Sequence, residues 1–266
     1  MSRILATDAH TPTHSPRSPR DTAVTSLPVT EVTFGGSGGA LRGYLARPAD
    51  GGPWPGVVVV HDVFGMTADL RRQCDWLAGA GYLALGPDLY SWGRKFECLR
   101  STIGDLRAHR GRAFDDIDAA RSWLVSEESC SGRIGVIGYC MGGGFSLLLA
   151  PGHGFSASSV NYGQVPSDAE AVLAGACPVV GSFGARDRTL RGAAAKLDGA
   201  LAADGVERDV KEYPDAGHGF LNHHEGGAGV LLAVTGRLLG AGYHERSAED
   251  ARRRIVEFFD LHLKAT

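Results

Sequence analysis

The chain has 266 residues, 43% of them hydrophobic and 21% charged, with a formal net charge of -3. That length suits one α/β domain of about 200–250 residues plus a tail, large enough to bury a sizeable core. The slight acidic balance, the lack of a basic block and the absence of any run near ~20 apolar residues argue against nucleic acid and against a membrane as partners.

Residues 1–28 are rich in Ser, Thr, Pro and His and read as a disordered tail. They lack the apolar stretch of a secretory signal, and Asp8, Asp21 and the prolines argue against a transit peptide. A single domain is expected over 29–266. Residues 29–34 and 41–46 are strand-like and flank Gly35-Gly36-Ser37-Gly38-Gly39, a hairpin signal. The continuous apolar run 56–61 predicts a strand buried on both faces. A helix is expected over 68–80, with Leu70, Cys74 and Leu77 on one side, and a strand over 82–86. Ile117, Ala120 and Leu124 predict a helix over 113–125. Strands follow at 134–138, 157–162, 178–183 and 207–213, with helices at 145–150, 190–203 and 248–263. The stretch 226–240 is ambiguous and reads as helical over 230–239. A hairpin followed by alternating strands and helices implies a mostly parallel central sheet with helices on both faces.

Five scattered cysteines, an odd number with no C-x-x-C pair, give no support to a disulfide framework or a zinc site. A reducing compartment, the cytoplasm, is therefore expected, and it suits a reactive thiol.

The strand 134–138 ends in Gly138-Tyr139-Cys140-Met141-Gly142, followed by a helix. This is the strand–turn–helix setting of a nucleophile elbow, with cysteine where serine is usual. Glycine on both sides removes side chains that would collide at the sharp turn. The competing reading is a buried core cysteine. The dinucleotide and P-loop glycine patterns are both absent.

A thiol nucleophile needs a base, and the base an orienter. The strand 178–183 runs into Asp187, and the strand 207–213 runs into His218 in a Gly-flanked loop. Both loops lie at carboxyl ends of strands, where sites form in such sheets. Asp187 would bond Nδ1 of His218, and His218 would take the Cys140 proton, holding a thiolate–imidazolium pair. Asp187 read alone is as well a turn former, and Asp215 is a rival acid. His223 and His224 read as solvent-facing. The backbone N–H groups of Met141 and Val63 are the candidate oxyanion donors, Val63 because it lies in the loop after strand 56–61.

These residues resemble the dienelactone hydrolase family of α/β-hydrolases. The matching stretches are His61-Asp62-Val63-Phe64-Gly65, Gly86-Pro87-Asp88-Leu89-Tyr90, Gly138-Tyr139-Cys140-Met141-Gly142-Gly143, Gly184-Ala185-Arg186-Asp187 and Ala216-Gly217-His218-Gly219-Phe220. They occur in family order and span about 29–263. The resemblance implies an α/β-hydrolase fold and hydrolysis of a small ester or lactone through an acyl-enzyme on Cys140. It implies no metal or organic cofactor. A monomer or homodimer acting on a small molecule is expected. Asp62 stands where the family places a glutamate that controls the resting cysteine; a loop cap is the alternative role. Asn222 stands where dienelactone-cleaving members hold a substrate carboxylate with arginine, and asparagine cannot form that charged fork. Arg94, Arg100, Arg107, Arg110 and Arg112 are candidates for a second anchor. His61, Phe64, Tyr90, Trp92, Tyr162, Phe220 and Asn222 are the expected pocket residues, the aromatic ones equally suited to core packing. A thioesterase on the same site, or a redox-sensing protein that kept the fold, are the alternatives.

Overall fold

The computed structural model describes residues 29–49, 51–224 and 242–264. The tail 1–28 and the helical reading of 230–239 lie outside the described residues.

Among the described residues, eight strands build one mixed sheet in the order β1-β2-β4-β3-β5-β6-β7-β8. They are β1 (Val29–Gly36), β2 (Gly39–Ala46), β3 (Trp54–Val60), β4 (Leu83–Pro87), β5 (Cys130–Tyr139), β6 (Ala157–Asn161), β7 (Val179–Gly184) and β8 (Arg208–Tyr213). β1 pairs antiparallel with β2, closing at Gly36 opposite Gly39, and β2 pairs antiparallel with β4. From β4 to β8 every pairing is parallel. The hairpin and the mostly parallel sheet are as the sequence predicts.

The helices are α1 (Ala68–Gly79), α2 (Lys95–Ala108), α3 (Arg112–Ser126), α4 (Met141–Leu148), the short α5 (Ala169–Val172), α6 (Ala193–Ala203) and α7 (Glu245–Leu263). They sandwich the sheet. Val57 and Val59 of β3 join a cluster with Leu70 and Leu77 of α1 and Ile255 and Phe259 of α7. Val58 and Val60 join the opposite cluster with Ile117 of α3, Phe145 of α4 and Leu197 of α6. Alternation with a period of two sends neighbouring valines into different layers, so β3 must be apolar throughout.

Several helices differ from expectation, the short α5 among them, which no sequence signal announced. α4 opens at Met141, not at Phe145, so the glycines after Cys140 are its first turn. α2 is absent from the sequence reading, because only Cys98 and Thr102 of its residues are buried. Among the described residues, no helix is long and apolar enough to cross a membrane.

Candidate active site

Cys140 sits between β5 and α4 with φ 56 and ψ -113. Such a backbone is strained for any residue with a side chain, and it persists only where the surroundings enforce it. They do so here through glycine. A Cβ on Gly138 would lie 1.9 Å from the Gly142 carbonyl oxygen, and one on Gly142 would lie 2.2 Å from that of Val60. The Cys140 N–H donates to Asn161 O at 3.0 Å, and Asn161 Nδ2 donates to Gly138 O at 3.1 Å. β6 thus braces the turn from the side.

Asp187 follows β7 and is 1% exposed. Its Oδ1 accepts from the Thr189 N–H and hydroxyl at 2.9 and 2.6 Å. Its Oδ2 lies 2.6 Å from Nδ1 of His218. One oxygen thus closes the turn at Thr189, and the other meets His218. Burial alone would raise this carboxyl, but the bonds from His218 and Thr189 hold it below its ordinary 3.8. The rival Asp215 pairs instead with Arg186 at 2.7 Å, on the surface.

His218 follows β8, and its ring meets Tyr162 edge-on at 5.3 Å. Burial opposes its charge, but hydrogen bonds to Asp187 and to the Cys140 sulfur outweigh that, and its pKa is pushed up to about 10. Three loops at one sheet edge thus bring Cys140, His218 and Asp187 together.

The loop after β3 is pinned at several points. His61 is fully buried. Its Nδ1 lies 2.6 Å from the Asp62 carbonyl, and its Nε2 accepts the Leu89 N–H at 3.2 Å. Nε2 accepts, so Nδ1 carries the proton and the ring is neutral, as burial also favours. Because a peptide is planar and trans, fixing the Asp62 carbonyl aims the Val63 N–H the opposite way. Tyr90 completes the hold, its hydroxyl donating to Val63 O at 3.3 Å. Among the described residues the Val63 N–H has no backbone acceptor. The Met141 N–H opens α4, where no intrahelical acceptor exists.

Several expected pocket residues have other places. His61 is a buried brace. Phe220 is fully buried between Tyr162 and Tyr213, with ring centroids 5.5 and 5.0 Å away. Trp92 lies on the surface under the Arg112 guanidinium. Arg112 also binds Asp116, and Arg94 is 88% exposed. Asn222 is 5% exposed, with both of its amide atoms hydrogen-bonded. Its Oδ1 accepts the Tyr162 hydroxyl, and its Nδ2 donates to Asp69 of α1 at 2.5 Å. That network ties the His218 loop to α1. Asp62 is a loop cap, its Oδ1 accepting the Phe64 N–H at 2.8 Å. Its Oδ2 meets His224, which is not solvent-facing: the side chain is 12% exposed. No motif marks His224, and the sequence reading missed it.

The profile of the dienelactone hydrolase family matches residues 41–263. The chain belongs to this family. As a member it is a hydrolase of carboxylic ester bonds. Proteins of Salmonella typhimurium and Methylorubrum extorquens that carry the provisional name carboxymethylenebutenolidase are each 28% identical. The alignments cover 94% of this chain and 91% of the first relative, and 86% and 79% for the second. Among solved structures, a provisionally named dienelactone hydrolase of Klebsiella pneumoniae superposes with a TM-score of 0.72 at 24% identity, covering 88% of this chain and 99% of that one. A dienelactone hydrolase-like promiscuous phosphotriesterase from metagenomic libraries gives a TM-score of 0.74 at 21% identity, covering 89% and 98%. These two likenesses establish the fold.

Proposed function

We propose that this hydrolase cleaves small, uncharged esters or lactones through an acyl-enzyme on Cys140, with His218 as base and Asp187 as its orienter. The observation that carries the reading is the convergence of the strained cysteine with the Asp187–His218 pair at 2.6 Å.

The Cys140 sulfur attacks the carbonyl carbon, and its proton resides on His218. The carbonyl oxygen becomes an oxyanion, which the N–H groups of Val63 and Met141 stabilise at the positive end of α4. Collapse breaks the carbon–oxygen bond, and His218 protonates the departing alkoxide. Acylation also neutralises the sulfur, whose charge and hydrogen bond helped raise the His218 pKa. The ring is then the better base for deprotonating the water that hydrolyses the thioester.

The preference for uncharged substrates rests on Asn222. It is buried, and both amide atoms are turned to Tyr162 and Asp69, so no charged fork stands at that position. A soluble monomer or homodimer in a reducing cytoplasm suits a free thiol, and the chemistry requires no metal or cofactor.

The test is mass spectrometry of trapped acyl-enzyme across ester, lactone and thioester panels. Wild type should gain one acyl group on Cys140, and Cys140→Ala should lose both adduct and turnover. Intact ester turnover by Cys140→Ala would falsify this reading. A thioester rate far above the ester rates would move the substrate class.

A further inference from the structure

The Asp62 carboxylate is shared between two partners. Oδ1 accepts the Phe64 N–H at 2.8 Å, and Oδ2 lies 3.0 Å from Nε2 of His224. The His224 ring also meets the Phe64 ring edge-on, with centroids 4.9 Å apart. His224 therefore grips both neighbours of Val63. The Asp62 and His224 side chains are only 8% and 12% exposed, so water competes weakly for the pair.

His224 stands on the same loop as His218. That loop is anchored separately, through Asn222 and the His223 N–H, to Asp69 of α1. A contact at His224 thus links an anchored loop to the segment carrying the Val63 N–H.

We propose that His224 is a positioning residue that clamps the oxyanion loop through Asp62 and sets the aim of the Val63 N–H. The proposal rests on the Cys140 reading of the site. It reassigns Asp62 from controlling the thiol to holding the loop. Among the described residues, Asp62, Asp69 and Arg72 are charged groups that act on His224. Burial disfavours its cation and Arg72 opposes it, but the Asp62 bond and the Asp69 charge prevail and raise its pKa. The clamp is therefore charge-assisted below the ordinary 6.5 and weakens as pH rises through the raised, folded value.

The experiment measures kcat and KM for p-nitrophenyl acetate against pH in wild type, His224→Gln, His224→Ala, Asp62→Asn and the double variant His224→Ala/Asp62→Asn. Selective iodoacetamide alkylation of Cys140, with the buried Cys74 and Cys98 left unreacted, serves as the check on the intact fold. His224→Ala should lose about tenfold in kcat with KM nearly unchanged, as expected for misplacing rather than removing a transition-state donor. His224→Gln still donates to Asp62, so it should recover most of kcat at neutral pH. It cannot titrate, so its profile should lack the alkaline decline that His224 gives wild type. The double variant should be no worse than the worse single one. Wild-type kcat and pH profile in His224→Ala, or additive losses in the double variant, would overturn the clamp. Failure of the underlying reading looks different: Cys140→Ala would then keep turnover whatever stands at 224.

Discussion

Asp187 shows how one side chain can satisfy a turn and a proposed catalytic role together. Its Oδ1 caps the turn at Thr189, and its Oδ2 faces His218. Asp187→Asn can keep the first contact and must change the second. An amide N–H there would repel the Nδ1–H and favour the wrong tautomer. The expected outcome is a fall in kcat of about 10³–10⁴-fold. Steady-state kinetics on p-nitrophenyl acetate would check this, and unchanged kcat would remove Asp187 from the proposed triad. These three residues were legible in the sequence because each follows a recognisable strand, and strand order fixes which loops share an edge. His224 was not legible. Its partner Asp62 is brought to it only by the closed fold, and two adjacent histidines in a polar loop carry no signal of burial. Asn222 misled for the same reason: its position pointed to substrate, while its side chain turns into the protein. Asn222→Ala would strand the Tyr162 hydroxyl and an Asp69 oxygen in a buried site. A loss of about 1–3 kcal/mol in unfolding free energy is expected from urea titration.

At the scale of elements, the elbow is a packing problem solved by leaving atoms out. β5, α4 and the end of β3 approach so closely that Gly138 and Gly142 have backbone, not flexible side chains, where a Cβ would go. Backbone cannot step aside cheaply. Gly138→Ala is therefore expected to prevent stable folding, or to cost more than about 4 kcal/mol. Gly199 of α6 makes the control, since an added Cβ there meets nothing within 4 Å. Gly199→Ala should stabilise by about 0.5–1 kcal/mol through better helix propensity. Thermal melts of the pair decide the matter, and similar behaviour of both variants would refute the packing account. The strands were legible because buried parallel strands must be apolar on both faces, as Val57 to Val60 are. α2 was not, because a helix with so few buried residues needs no apolar stripe. Its exposed Phe96 even breaks the expected alternation of faces.

At the scale of the molecule, the same groups that serve the site also set how stability responds to pH. His218 has an ordinary value of 6.5 and a folded value of about 10. A raised histidine stabilises the fold fully below about 6.5, and that contribution is lost as pH rises through about 10. Asp187 works in the opposite sense. Its carboxyl is held below 3.8, so its contribution is present above that value and lost as pH falls through the lower, folded one. The pair thus supports a plateau of stability with an alkaline edge belonging to His218. Because Asp187 and then Cys140 are the partners that raise His218, removing either should move that edge down. Melting temperatures from pH 6 to 10.5 should show wild type holding longest, Cys140→Ala falling earlier and Asp187→Asn earlier still. Coincident alkaline edges in all three proteins would mean that the imidazolium gains nothing from its neighbours. The shared proton on which the proposed chemistry depends would then have no energetic support from the fold.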